Sequence, residues 1–208
     1  MKRMAVLMAV AFVDMIGLML VLPLLPLYAL HLQADATTIG FLTASFPVAQ
    51  LLASPVWGRV SDRYGRRPAV LVGLTASTIA YVIFGFAGSL WLLFLSRFVQ
   101  GLGGGTTGVA QAYVADTMAP HERAKALGWL SAATSLGVVI GPVVGSFAAR
   151  AGASAPGLVA AGLCGCNLVF AWKWLPESRV LASHVTTESG RHLPPPVPRP
   201  VFHAVWDV

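Results

Sequence analysis

The chain reads as an all-α membrane protein with six transmembrane helices, and three observations predict it. Hydrophobic residues make up 56% of its 208 positions and charged residues only 11%, with a mean hydropathy of +0.73, which is outside the soluble range. Six apolar stretches lie near 5–30, 39–57, 68–87, 91–114, 124–149 and 157–175. Each is close to or above the roughly 20 helical residues that cross a hydrocarbon core. Most of the charges fall between these stretches or beyond them, where water can reach them.

The first stretch follows Lys2 and Arg3 and continues for about 25 residues, beyond the roughly 7–15 of a secretory signal. Despite Ala34-Asp35-Ala36, it therefore reads as a retained span. It carries Asp14, about 15 Å along the helix from Met4 and so near mid-membrane. No other acidic residue lies as deep. Leu22-Pro23-Leu24-Leu25-Pro26 closes the span.

The second stretch ends in Pro55-Val56-Trp57-Gly58, and four arginines and an aspartate follow before Pro68. Each charge would cost roughly 2.5–3.5 kcal/mol at the bilayer centre. Gly58 to Pro68 is therefore expected to be a short polar loop leading into the third span. The third span, Val70 to Phe86, has no acidic residue.

The fourth stretch contains Arg97, roughly 10 Å from its outer end and so at nearly the depth of Asp14. An intramembrane ionisable residue is a functional candidate with a partner to be named. Arg97 is the partner expected for Asp14, either as a coupled pair or as structural packing. Arg97, Gly101 and Gly105 recur every four residues and share a face on which a neighbouring helix can approach closely. Gly103-x-Gly105-x-x-Gly108 also fits a dinucleotide pattern, but that pattern needs a βαβ unit and here it lies in an apolar 20-mer. The fifth stretch carries Ala133, Gly137, Gly141 and Gly145 as a stripe of small residues at i+4 spacing, with Pro142 expected to bend the helix. In the sixth, Cys164 and Cys166 lie two apart and point to nearly opposite sides, so they neither bridge nor chelate together.

The net charge of +6 reports topology rather than a nucleic-acid partner. Lys2, Arg3, Arg59, Arg63, Arg66, Arg67, Arg123, Lys125 and the basic residues from Lys173 onward fall on one side, whereas the alternate loops hold only Arg150. This positive-inside bias predicts a multi-pass protein of the cell (inner) membrane with both termini cytoplasmic. The chain also suggests a 3+3 inverted repeat. Pro55-x-x-Gly58 matches Pro142-x-x-Gly145, and Gly40-Phe41-Leu42-Thr43-Ala44 lines up with Gly128-Trp129-Leu130-Ser131-Ala132. Three spans separate the copies, which would therefore run in opposite directions.

Gly58-x-x-x-Asp62-Arg63-x-Gly65-Arg66-Arg67 closely resembles the signature between the second and third helices of the major facilitator superfamily. Arg97-x-x-x-Gly101-x-Gly103 resembles its fourth-helix motif, and Gly137-x-x-x-Gly141-Pro142-x-x-Gly145 its antiporter motif. Asp116, Glu122, Arg123, Lys125 and Gly128 look like the usual fourth-to-fifth loop, and Leu175-Pro176-Glu177-Ser178 like the usual end of the sixth helix. The resemblance covers about 2–178. It implies one six-helix half of a secondary transporter, similar to the tetracycline and multidrug drug:proton antiporters. It also implies that Gly58, Asp62, Arg63, Gly65, Arg66, Arg67, Asp116 and Arg123 form a cytoplasmic latch holding the two halves together. Tetracycline exporters usually carry an acidic residue in the third helix. Its absence here leaves tetracycline as only one possible substrate.

The expected organisation is a six-helix unit at 1–176 and a proline-rich cytoplasmic linker at 177–208, cut off before a second half. That half would come from the same chain or from a second subunit. The expected function is proton-coupled export of small lipophilic compounds, with Asp14 and Arg97 coupling protons to substrate in the lipid bilayer. The alternatives are a sugar or metabolite exporter of the same superfamily and a non-transporting membrane subunit. The sequence offers no nucleophile–base pair, no metal constellation and no cofactor motif. His31, His121, His184, His192 and His203 share no face.

Overall fold

A computed structural model describes residues 2–103 and 106–176 of the chain, and among them the regular structure is helical throughout. The elements are α1 (Lys2–Val21), a 3-10 turn (Leu22–Leu24), α2 (Leu25–His31), α3 (Ala36–Tyr64), α4 (Arg66–Gly85), α5 (Leu90–Gly103), α6 (Thr106–Thr117), α7 (Pro120–Ala149) and α8 (Ala155–Trp174). Five segments are long and apolar enough to cross a membrane: Met4–His31, α3, α4, α7 and α8. The fourth expected span corresponds to α5 and α6, which flank residues 104 and 105.

The local chemistry explains the breaks. Pro23 and Pro26 lack amide donors, and they bracket the point where α1 tightens into a 3-10 turn before α2 resumes. Asp35 caps α3 by accepting from the Thr38 amide at 3.0 Å, satisfying an otherwise orphaned donor. Hydrogen bonds from Thr38 hold its carboxyl below the ordinary value. α7 runs through Pro142, and α3 through Pro47 and Pro55, without interruption.

One boundary differs from expectation. The charged stretch 58–64 is helix, not loop: α3 continues to Tyr64, and the turn into α4 is Gly65 alone. Gly65 has φ 109 and ψ 161, a conformation open to glycine and strained for other residues. The helix persists beyond the apolar run because its charges reach water or find partners, including Asp62 with Arg66 one turn on.

The helices pack in the pattern an inverted repeat requires. α1 lies against α7 and α3 against α5, so spans 1 and 5 are matched by spans 4 and 2. α4 against α5 is likewise matched by α8 against α1. Small residues make these contacts possible. A Cβ on Gly101 would stand 2.5 Å from the Phe46 carbonyl oxygen of α3. On Gly137 it would lie 2.8 Å from the Phe12 carbonyl oxygen, and on Gly141 2.6 Å from Met19 Cβ, both on α1. Gly145 approaches the Leu20 carbonyl as closely. Ala133, Gly137, Gly141 and Gly145 are all buried, so the predicted stripe is the α1 interface. Gly105 lies outside the described residues.

The outer surface is apolar. Phe41, Leu51 and Leu52 of α3, Trp91 of α5, Val139 and Phe147 of α7, and Trp172 of α8 are all exposed. Such a surface suits lipid or another apolar helix face. The interior, by contrast, holds Ser61, Ser77, Ser96, Arg97, Gln100, Thr106 and Asn167.

Candidate functional site

Among the described residues the most deeply buried charge is Arg97. It projects from α5, and none of its surface is exposed. Its guanidinium carbon lies 5.4 Å from the centroid of the Phe84 ring, and Nε makes a long 3.5 Å contact to Ser96 Oγ. Nη1 and Nη2 have no hydrogen-bond partner. A guanidinium keeps its proton, so a desolvated one is costly unless an anion or a polar oxygen faces it.

Asp14, on α1, is half-buried. The expected direct pair with Arg97 is not among the ion pairs of the described residues. Packed near both helices is Tyr81 of α4, one turn from the Phe84 ring that faces the Arg97 guanidinium. The Tyr81 ring reaches α1 because residue 17 is glycine: a Cβ there would stand 3.2 Å from the ring and 3.3 Å from the hydroxyl. Gln100, one turn after Arg97, donates from Nε2 to Tyr81 Oη at 2.6 Å. On the α8 side, Cys164 Sγ contacts the Leu74 carbonyl of α4 at 3.5 Å, and Asn167 Nδ2 donates to the Val10 carbonyl at 2.9 Å. Polar side chains from four elements therefore converge inside the half. Cys164 is buried and Cys166 exposed, both as free thiols on different faces.

Depth along the helices points to an aspartate–arginine pair, and packed near both helices is a buried tyrosine that depth does not reveal. Sequence alone does not single out Tyr81, Gln100 and Asn167. Their signal was a hydrogen-bonding group within an apolar span, and for Tyr81 an aromatic ring masked it.

A second cluster lies where α3, α4 and α6 meet. Arg66 holds two carboxylates, with Nη1 to Asp62 Oδ1 at 2.7 Å and Nε to Asp116 Oδ2 at 2.8 Å. It also donates from Nη1 to Ser61 Oγ at 2.7 Å. Arg67 donates to the carbonyl of Trp172 in the last turn of α8, where a cation opposes the negative end of the helix dipole. Tyr113 of α6 donates to the Pro176 carbonyl at 3.2 Å, just beyond that helix. Arg63 lies 5.6 Å from the Tyr64 ring centroid, and Arg123 donates to the Met118 carbonyl at 3.1 Å.

Of the eight residues expected together, Asp62, Arg66 and Asp116 are joined by ion pairs and Gly65 makes the turn. Arg67 instead ties the cluster to α8. Arg63 lies near the Tyr64 ring and Arg123 bonds the Met118 carbonyl, and a Cβ on Gly58 would meet nothing within 4 Å. Beside it, Gln50, Ser54, Trp57, Gly58, Ser61 and Arg66 help to line a cavity of about 250 Å³. Among the described residues no cluster of three or more histidine, cysteine or acidic side chains could hold a metal.

The chain as a whole is similar to known transporters. The chain is 32% identical over 186 residues to the tetracycline resistance protein, class B, of Escherichia coli, covering 88% of this chain and 46% of that protein. It is 36% identical over 152 residues to multidrug resistance protein 2 of Bacillus subtilis, covering 73% and 38% respectively. The human organic anion transporter MFSD10 superposes with a TM-score of 0.73 at 26% identity, covering 85% of this chain and 48% of that one. A peptide transporter crystallised with sulfate shares the fold with a TM-score of 0.76 at 16% identity, over 90% of this chain and 44% of that one. The chain thus spans about half the length of the relatives it matches. The Major Facilitator Superfamily, a family of transporters and not of enzymes, matches residues 7–206, and this multi-pass membrane chain belongs to it.

Proposed function

We propose that the chain is the N-terminal half of a proton-coupled exporter of small, lipophilic compounds, working as a drug:proton antiporter. The observation that carries this reading is the interior set of Asp14, Tyr81 and Arg97, with Tyr81 against Gly17 of α1 and two buried, unpartnered guanidinium nitrogens on Arg97, in a chain whose relatives include tetracycline and multidrug resistance proteins. Burial and a guanidinium act in opposite senses on a carboxyl's hold on its proton. A rocking motion that changes how strongly Asp14 feels Arg97 therefore moves a proton on or off. Substrate movement coupled to the same motion yields exchange.

In this reading the two termini and the 177–208 linker are cytoplasmic, and the protein resides in the cell (inner) membrane. The Asp62–Arg66–Asp116 cluster is a latch, engaging the other half when the transporter opens outward. That half is supplied by the same polypeptide or by a second subunit. The Gly137–Gly145 motif is the antiporter element, holding α7 closely against the helix that carries Asp14.

The test is substrate-induced proton release from the full-length protein in detergent, using tetracycline and ethidium as probes. Wild type should release protons with at least one probe and Asp14→Asn should not. Undiminished release from Asp14→Asn would remove Asp14 from coupling. Asp62→Asn should slow transport while leaving probe affinity within a few-fold, whereas a large loss of affinity would contradict the latch.

A further inference from the structure

The interior of the half contains an unmatched set of hydrogen-bonding atoms around one hydroxyl. Tyr81 Oη accepts a hydrogen bond from Gln100 Nε2 at 2.6 Å, which leaves the phenolic proton to be given elsewhere. The titratable groups on the helices packed around it are Asp14, one turn before the Gly17 that meets the hydroxyl on α1, Arg97 of α5, against Phe84 one turn along α4, and Cys164 of α8, against the Leu74 carbonyl of α4. Of these, Arg97 is donor-only and Cys164 a weak acceptor, whereas an ionised carboxylate is a strong one. Arg97 Nη1 and Nη2 are buried donors with no partner, and a hydroxyl oxygen has two acceptor positions. One is used by Gln100 and the other remains for Arg97.

We propose that Tyr81 is a positioning residue, the bridge through which Asp14 and Arg97 act on each other. Its hydroxyl accepts from the guanidinium and from Gln100, and donates to the Asp14 carboxylate. This rests on the coupling role assigned to Asp14. When Asp14 takes up a proton, the anion at one end of the bridge disappears, while Tyr81 stays neutral throughout. The weakened bridge then lets α4 and α5 move relative to α1. Two features fit this role and no purely apolar one. Gly17 removes the side chain that would exclude the Tyr81 ring from α1. Gln100, one turn from Arg97, fixes the hydroxyl while keeping only one of its own polar ends satisfied.

The experiment is infrared titration of the full-length protein in lipid nanodiscs. Bands lost in Asp14→Asn belong to that carboxyl, and bands lost in Tyr81→Phe belong to that hydroxyl. The expected result is a Tyr81 band that shifts when Asp14 is protonated, a shift that disappears in Asp14→Asn. Gln100→Leu, which keeps the volume, should displace the same Tyr81 band even if Tyr81→Phe folds poorly. An Asp14 band that titrates while no Tyr81 band responds would overturn the bridge and leave the coupling role intact. An Asp14 carboxyl that never titrates in the folded protein would overturn both.

Discussion

Two segments of this chain share a motif yet occupy opposite environments. Pro55-Val56-Trp57-Gly58 of α3 and Pro142-Val143-Val144-Gly145 of α7 correspond across the repeat. Gly145 is buried with the α1 backbone against it, whereas a Cβ on Gly58 would meet nothing within 4 Å. A glycine costs a helix about 1 kcal/mol relative to alanine. At 145 that cost admits a neighbouring helix, but at 58 nothing in the described half offsets it. The two copies teach that a repeated motif can keep its backbone requirement while its partner changes. Gly145 serves packing within the half, whereas Gly58 is exposed.

The largest break of this comparison should come from Gly141→Leu. The new side chain would have to displace α1, where Met19 Cβ already lies 2.6 Å from a built Cβ. Overpacking of this kind costs about 3 kcal/mol or more, and the expected readout is loss of the monodisperse, cooperatively unfolding species in detergent. Unchanged unfolding would mean that α7 does not need its smooth face. Gly145→Ala should follow at about 1–3 kcal/mol, measured by thermal unfolding in the same detergent. A neutral result there would place Gly145 in the same class as Gly58.

Arg66→Ala should cost about 1 kcal/mol, because its partners Asp62 and Asp116 are substantially exposed to solvent. The loss should shrink as salt rises, so unfolding at low and high ionic strength is the check. A salt-independent loss of several kcal/mol would show that the cluster is part of the folded core.

The smallest effect has the opposite sign. Gly58→Ala should leave the half as stable or stabilise it by up to about 1 kcal/mol, while slowing transport in the complete protein. Destabilisation comparable to Gly145→Ala would erase the distinction between the two copies.

Much of the architecture is legible in the sequence. Span positions follow from hydropathy, because a bilayer leaves the backbone few ways to satisfy its hydrogen bonds. The α7 stripe was legible because i+4 spacing fixes a shared face whatever the partner. The charged stretch was less so. Hydropathy marks where the apolar run ends, not where the helix ends, so α3 ran on to Tyr64 and the loop shrank to Gly65.

The sequence by itself determined a six-span membrane half, its small-residue faces, and the two deep charges, Asp14 and Arg97. Only the tertiary structure decided what packs near those charges and which glycines are enclosed. Depth along a helix is a one-dimensional quantity set by rise per residue. The distance between two side chains depends also on helix rotation and on what a third helix inserts. That third element is Tyr81 from α4, admitted by Gly17 and held by Gln100. Likewise Gly58 and Gly145 share a motif, and packing alone separates a glycine pressed against Leu20 from one facing open space.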